Sequence, residues 1–222
     1  SAVQLILVNV AVFIILFVLR LLFRILQLPE VANIISDQFL LHADLSKTLY
    51  KPWTFITYAF NHAGIFHIFW NMIGLFWFGR LFNEYLGSQR LINLYVIGAI
   101  AGGIVYVLVF NFIGAYQNSA LIGASGAIYA IVIGTALFMP NYRFNLILIG
   151  PVKIIYIALF FILISLFDME RGNNIGGNLA HLAGGLIGFV YIHQFKKGRE
   201  LGTFVFKATE FFKSFFVKRP AV

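Results

Sequence analysis

The sequence predicts an all-α membrane protein: a bundle of six transmembrane helices with both termini on the cytoplasmic side. Three observations lead there. The chain is 61% hydrophobic, 18% aromatic and only 11% charged, with a mean hydropathy of +0.90, whereas soluble domains run about 45–50% apolar and about 25% charged. Six segments carry the roughly 20 mainly apolar residues that a helix needs to cross the hydrocarbon. The basic residues fall unevenly between the two ends of those segments, which sets an orientation.

The expected spans are 3–26, 62–83, 91–112, 121–139, 145–167 and 178–195. Between the first two lies a long connection holding Pro29, Asp37, Asp44, Lys47, Lys51 and Pro52; the other connections are short. If the C-terminus is cytoplasmic, that side collects Arg80, Arg90, Arg143, Lys153 and the seven cations after residue 195, against five on the other side. The chain opens at Ser1 without a methionine, which points to trimming or processing of its N-terminus. Residues 1–195 are expected to form the six-span domain and 196–222 a basic tail. That tail sets Phe204, Phe211, Phe212, Phe215 and Phe216 among Lys207, Lys213 and Lys218, the pattern of an amphipathic helix lying in the membrane interface. Its charge therefore points to anionic lipid rather than to nucleic acid. The chain has no cysteine, which excludes disulfides, thiolate metal sites and a cysteine nucleophile.

Spans 2, 4 and 6 run in the same direction, and each carries its polar residues near its outer start. These are His62, His67 and Asn71 on span 2, Ser125 on span 4, and Asn178 and His181 on span 6. Polar groups at membrane depth are costly, and they face a bundle interior or water, so their meeting in one layer marks a site. Taken singly, each has a plainer reading. A lone serine packs or bonds back to its own helix, and a lone histidine makes an interhelical hydrogen bond.

Small residues indicate which helices touch. Gly126, Ala130 and Gly134 recur every four positions on span 4, as do Ala180, Gly184 and Gly188 on span 6. Such stripes let membrane helices approach closely, and Ser125 and His181 each adjoin the first member of their stripe. A hydroxyl beside a neutral imidazole is the arrangement that activates a serine. Tyr129, one turn after Ser125, shares its face and is placed to hold the imidazole ring. None of the eight acids lies within span 4 or 6; only Asp168 and Glu170 sit in the connection before span 6. The expected unit is a Ser–His dyad. His67 and Asn71, at i and i+4 on span 2, and the backbone N–H of Ser125 are the candidate donors to an oxyanion.

The segments "HAGIFHIFWN", "GASGAIY" and "NLAHLAGGLIG" together resemble the rhomboid family of intramembrane serine proteases. The resemblance covers nearly the whole chain, with each motif on its proper span. It implies that Ser125 is the nucleophile and His181 the general base, that His67, Asn71 and Gly123 belong to the oxyanion and substrate-binding region, and that Tyr129 packs on the histidine. It further implies cleavage of single-pass membrane proteins near the outer membrane surface, with no metal or cofactor, in the inner membrane of a bacterium, the site opening to the extracytoplasmic side. Two positions depart from the family's pattern. Thr54 follows Trp53 where the family has arginine, and Asn83 stands where it has an acid, with Glu84 one residue later and about 100° around the helix. Both departures are expected to alter stability rather than chemistry, and His62 to organise the first connection.

Hydrolysis needs water and an extended substrate backbone. His67, Asn71, Ser125 and Asn178 are expected to wall a wet pocket, and "DMERGNNIGGN" before span 6, with Gly172, Gly176 and Gly177, to form a lid over it. Two other function classes stay open. One is a catalytically silent rhomboid-like protein that binds or chaperones membrane helices. The other is a small transporter, against which stand the polar cluster near one face and the lack of an inverted repeat.

Overall fold

A computed structural model describes residues 1–114, 116, 118–146 and 149–216. The expectation for Lys218 lies outside these residues, as do the side-chain positions of Phe212, Lys213, Phe215 and Phe216.

Helix α1 (Ala2–Ile25) opens on a capping box between Ser1 and Gln4. The first connection folds into α2 (Pro29–Asp37), with proline at its start, strand β1 (Leu41–His42), α3 (Leu45–Tyr50), capped by Asp44, and α4 (Thr54–Thr57), which runs into a 3-10 turn at Tyr58–Phe60. Then comes a continuous 22-residue helix, Ile65–Leu86. It comprises α5 (Ile65–Gly74), a π-helical turn at Leu75–Gly79 and α6 (Arg80–Leu86). Helix α7 (Ser88–Ile113) ends on Gly114 in the left-handed conformation. Strand β2 (Ala120–Leu121) pairs antiparallel with β1, Leu41 opposite Leu121, and leads into α8 (Ser125–Phe138). A hairpin of β3 (Arg143–Leu146) and β4 (Gly150–Lys153) precedes α9 (Ile154–Glu170), α10 (Ile175–Lys196) and α11 (Thr203–Phe216).

Among the described residues, four helices are long and apolar enough to cross a membrane: Ala2–Ile25, Ile65–Leu86, Ser88–Ile113 and Ile175–Lys196. The expected spans 4 and 5 are shorter. Span 4 loses 121–124 to β2 and a turn, leaving a 14-residue helix about 21 Å long, less than the hydrocarbon thickness of about 30 Å. Span 5 begins at Ile154 rather than 145 because Gly150 (φ +84°) and Pro151 turn the apolar run into a strand, and proline is excluded from a helix interior.

Helix α8 sits at the centre, buried on every side from Gly126 to Ala136, as expected of a helix that is apolar all round. Its principal neighbours are α10 and α7, and small residues permit their approach. A Cβ on Gly184 would overlap the carbonyl of Gly126, one on Gly188 the carbonyl of Ala130, and one on Gly98 would lie 2.8 Å from Ala130 Cβ. The two stripes therefore meet backbone to backbone. Large apolar side chains on the outer helices, such as Leu7, Ile14, Phe17, Leu159 and Phe160, are exposed. In water they would be a liability, and in lipid they are the outer surface of an integral membrane protein.

Polar ties hold the periphery. Tyr95 of α7 bonds the carbonyl of Ala59 at 2.8 Å and meets the buried Asn9 of α1, and Tyr58 bonds Ala99 at 2.7 Å. In the first connection Asp37 accepts from His42 at 2.6 Å and pairs with Lys51. Thr54 is buried and turns its hydroxyl to the carbonyl of Lys51 at 2.6 Å. Asn83 accepts from Ser88 at 2.7 Å across the tight turn at Gly87, while Glu84 is exposed. Before α11, Glu200 accepts from Arg90 at 2.8 Å and the Asn93 amide donates to the carbonyl of Leu201, so this segment is fastened to the start of α7.

Candidate active site

Ser125 is the first residue of α8. The chain reaches it through β2, whose approach is clamped by backbone bonds from Ala43 to Ser119 and from Gly123 to Tyr58, both 3.0 Å. Gly123 has φ +112°, and a Cβ there would lie 2.7 Å from the His67 ring. Backbone angle and space both require glycine at this turn. The neighbouring helix brings His181 from its second turn, and Nε2 lies 2.7 Å from Ser125 Oγ. The close approach of α8 to α10 at Gly126 and Gly184 makes that distance attainable.

Three further side chains complete the site. The Tyr129 ring stacks on the His181 ring, centroids 4.2 Å apart and 11° from parallel. His67 accepts a hydrogen bond from the Ala63 N–H on Nδ1 at 3.3 Å, which leaves the proton on Nε2. Asn71 is buried and spends one amide hydrogen on the carbonyl of His67 at 2.8 Å, one turn earlier. His67, Asn71, Ser125, Tyr129 and His181 all line a single cavity of about 1340 Å³. It runs from this polar end down a slot between Trp70 and Trp77 on one wall and Tyr156 and Phe160 on the other.

Gly123 adjoins the His67 ring, and its N–H is bonded to the carbonyl of Tyr58. Two sequence expectations, for Asn178 and for the loop before α10, are corrected by the geometry. Asn178 is buried away from the cavity and bonds the carbonyl of Asn173 at 3.1 Å; it braces the loop ahead of α10 and does not wall the pocket. That loop is also shorter than expected. Only residues 171–174 lie between α9 and α10, Gly176 and Gly177 belong to the first turn of α10, and Gly176 is packed against Tyr106. One residue of the site was not singled out by the sequence. Ser165 of α9, buried, lies 3.2 Å from His181 Nδ1 and 2.8 Å from the Tyr129 hydroxyl. Its signal was faint but present: one serine in the apolar run "IIYIALFFILISLF". His62 is fully buried with its ring edge-on to His67, centroids 5.2 Å apart.

Comparison with known proteins points to one family. The family model described as "Rhomboid domain" matches residues 50–197. The chain is 30% identical over 150 residues to "Rhomboid protease GlpG" of Haemophilus influenzae, covering 64% of this chain and 68% of that protein. It is 31% identical over 147 residues to "Putative rhomboid protease YdcA" of Bacillus subtilis, with coverage of 64% and 68%. It is 32% identical over 159 residues to "RHOMBOID-like protein 12, mitochondrial" of Arabidopsis thaliana, covering 66% of this chain and 47% of that protein. The match thus spans about half the length of this plant relative.

Proposed function

The chain belongs to the rhomboid family, and from that premise we propose that it is an intramembrane serine endopeptidase. It would hydrolyse peptide bonds in or near the transmembrane segments of single-pass membrane proteins, using Ser125 and His181. The observation that carries this reading is the 2.7 Å contact between Ser125 Oγ and His181 Nε2 at the polar end of the cavity.

In the proposed reaction His181 takes the Ser125 proton as the hydroxyl attacks the scissile carbonyl, then returns it to the leaving amine. A water, activated by the same imidazole, releases the acyl group. The oxyanion would be met by the His67 Nε2–H, the second amide hydrogen of Asn71 and the Ser125 N–H. That amide is a first-turn N–H with no partner inside its own helix, at the positive end of the helix dipole. The substrate helix would enter between the Ile65–Leu86 helix and α9 and unwind at the polar end. We place residues 1–195 in six membrane passages with both termini cytoplasmic, from the excess of cations at that end, and the 196–222 tail on the lipid surface.

The test is labelling of the purified protein by a serine-reactive fluorophosphonate, with cleavage of a membrane substrate measured alongside. The wild type should label, and Ser125→Ala and His181→Ala should lose labelling and turnover by a factor on the order of 10⁴ or more. A folded wild type that neither labels nor cleaves would overturn the assignment in favour of a silent helix-binding protein.

A further inference from the structure

We propose that Ser165 is the positioning residue of the site: its hydroxyl fixes the tautomer of His181 and takes the place of a triad carboxylate. The inference rests on the proposed Ser125–His181 chemistry and adds the group that makes His181 competent for it.

The argument follows the hydrogens. A serine within a helix ordinarily bonds back to the carbonyl four residues earlier. For Ser165 that acceptor is Phe161 O, and it is taken: the Tyr129 hydroxyl donates to it at 3.0 Å. Tyr129 has one hydroxyl hydrogen, so it meets Ser165 Oγ, 2.8 Å away, as an acceptor. Ser165 therefore donates to Tyr129, which leaves only lone pairs for His181 Nδ1 at 3.2 Å. Nδ1 must then carry the ring proton, and Nε2 is left unprotonated, facing the Ser125 hydroxyl at 2.7 Å. Every group in the row donates once and in one direction: Ser125 to His181, His181 to Ser165, Ser165 to Tyr129, and Tyr129 to the backbone of α9. The stack of Tyr129 on the imidazole holds the ring plane, and Ser165 sets its rotation within that plane.

During attack the proton moves from Ser125 Oγ to Nε2. The ring becomes imidazolium, and its Nδ1–H bond to Ser165 becomes charge-assisted, hence stronger than in the resting state. The gain appears as the transition state forms, so it bears on kcat more than on KM. Tyr129 acts twice, as a stacking ring and as the group that keeps Ser165 from turning back to its own helix.

The experiment uses the full chain in bicelles. Ser165→Ala should lower kcat roughly 10- to 100-fold, the loss expected for one hydrogen bond to a charged group, with KM within about twofold. Ser165→Thr, which keeps the hydroxyl, should recover most of the rate. Tyr129→Phe, which keeps the stacked ring, should reproduce the Ser165→Ala loss, and the double variant should be no worse than the worse single one, since both break one chain. Nitrogen-15 NMR of the His181 ring, assigned by difference against His181→Gln, should show Nδ1 protonated in the wild type and a mixture of tautomers in Ser165→Ala. A wild-type ring protonated on Nε2, or a Ser165→Ala enzyme with unchanged kcat, would overturn the proposal. The NMR reading decides it even for a chain that cleaves nothing, so failure here and failure of the protease assignment are separate results.

Discussion

Gly123 shows how a single residue is constrained from two directions. Its backbone occupies a region that residues with a Cβ avoid at a cost of roughly 1–2 kcal/mol, and the space a Cβ would need is filled by the His67 ring. The same turn delivers Ser125 to the start of α8, so one glycine sets the distance between Ser125 and His67. Asp37 works at longer range. It gathers His42 and Lys51 beside β1, the strand on which β2 rests. Partial burial acts to raise its carboxyl, but hydrogen bonds from Lys51 and His42 outweigh it and hold the group below its usual value. A depressed carboxylate contributes stability that is complete above the unfolded value of about 3.9 and is lost as pH falls through the folded one. The thermal midpoint should therefore drop in acid below about pH 4, and Asp37→Asn should lower the midpoint at neutral pH while flattening this acid decline. A wild-type midpoint that does not change between pH 5 and the acid end would remove Asp37 from the account.

At the scale of elements, α8 and α10 are a pair with almost nothing between them. Gly184 faces the carbonyl of Gly126, and Gly188 that of Ala130; backbone cannot yield as a side chain can. Gly184→Val should push the helices apart, cost the roughly 1–3 kcal/mol or more typical of overpacking, and separate Ser125 from His181. Thermal stability and fluorophosphonate labelling should fall together. A variant as stable and as reactive as the wild type would show that the stripe does not set the dyad distance. The π-helical turn at Leu75–Gly79 belongs to the same scale. It lies in the wall of the cavity beyond Trp70, contains Trp77, follows Gly74, which packs on Ile128 of α8, and ends at Gly79. Such turns inside α-helices are frequent at functional sites.

The whole molecule is asymmetric about its central helix. One side of α8 packs on α7 and α10 along its length, while on the other its first turn, at Ser125, Ile128 and Tyr129, lines the cavity that continues between the Ile65–Leu86 helix and α9. The slot walls are aromatic and exposed, which suits a bilayer neighbour, and the slot is the path proposed for a substrate helix. A cysteine crosslink joining the Ile65–Leu86 helix to α9 should abolish cleavage of a membrane substrate, and reduction should restore it. Undiminished turnover of the crosslinked protein would exclude this path. Labelling of Ser125 by a small fluorophosphonate should survive the crosslink, which separates blocked access from damaged chemistry.

Much of this was legible in the chain itself, for a physical reason. Hydropathy is a sum over neighbours in sequence, so the membrane setting and the main helices follow from composition and run length. The four-residue spacing of Gly126, Ala130 and Gly134, and of Ala180, Gly184 and Gly188, is local too, and it pairs α8 with α10. Ser125, His181, His67 and Asn71 stood out because each is a polar exception in an apolar run. What lay beyond the sequence depends on how each helix is rotated about its axis. Helix α9 is apolar all round, so nothing in its pattern says which side faces α10, and Ser165 remained one hydroxyl among many. The commitment of the Gly123 amide to Tyr58, the turning of Asn178 toward Asn173, and the strands at Arg143–Leu146 and Gly150–Lys153 are likewise contacts or turns that hydropathy does not encode. Tertiary packing decided them, because a backbone donor or a buried hydroxyl takes the partner that the assembled helices bring to it.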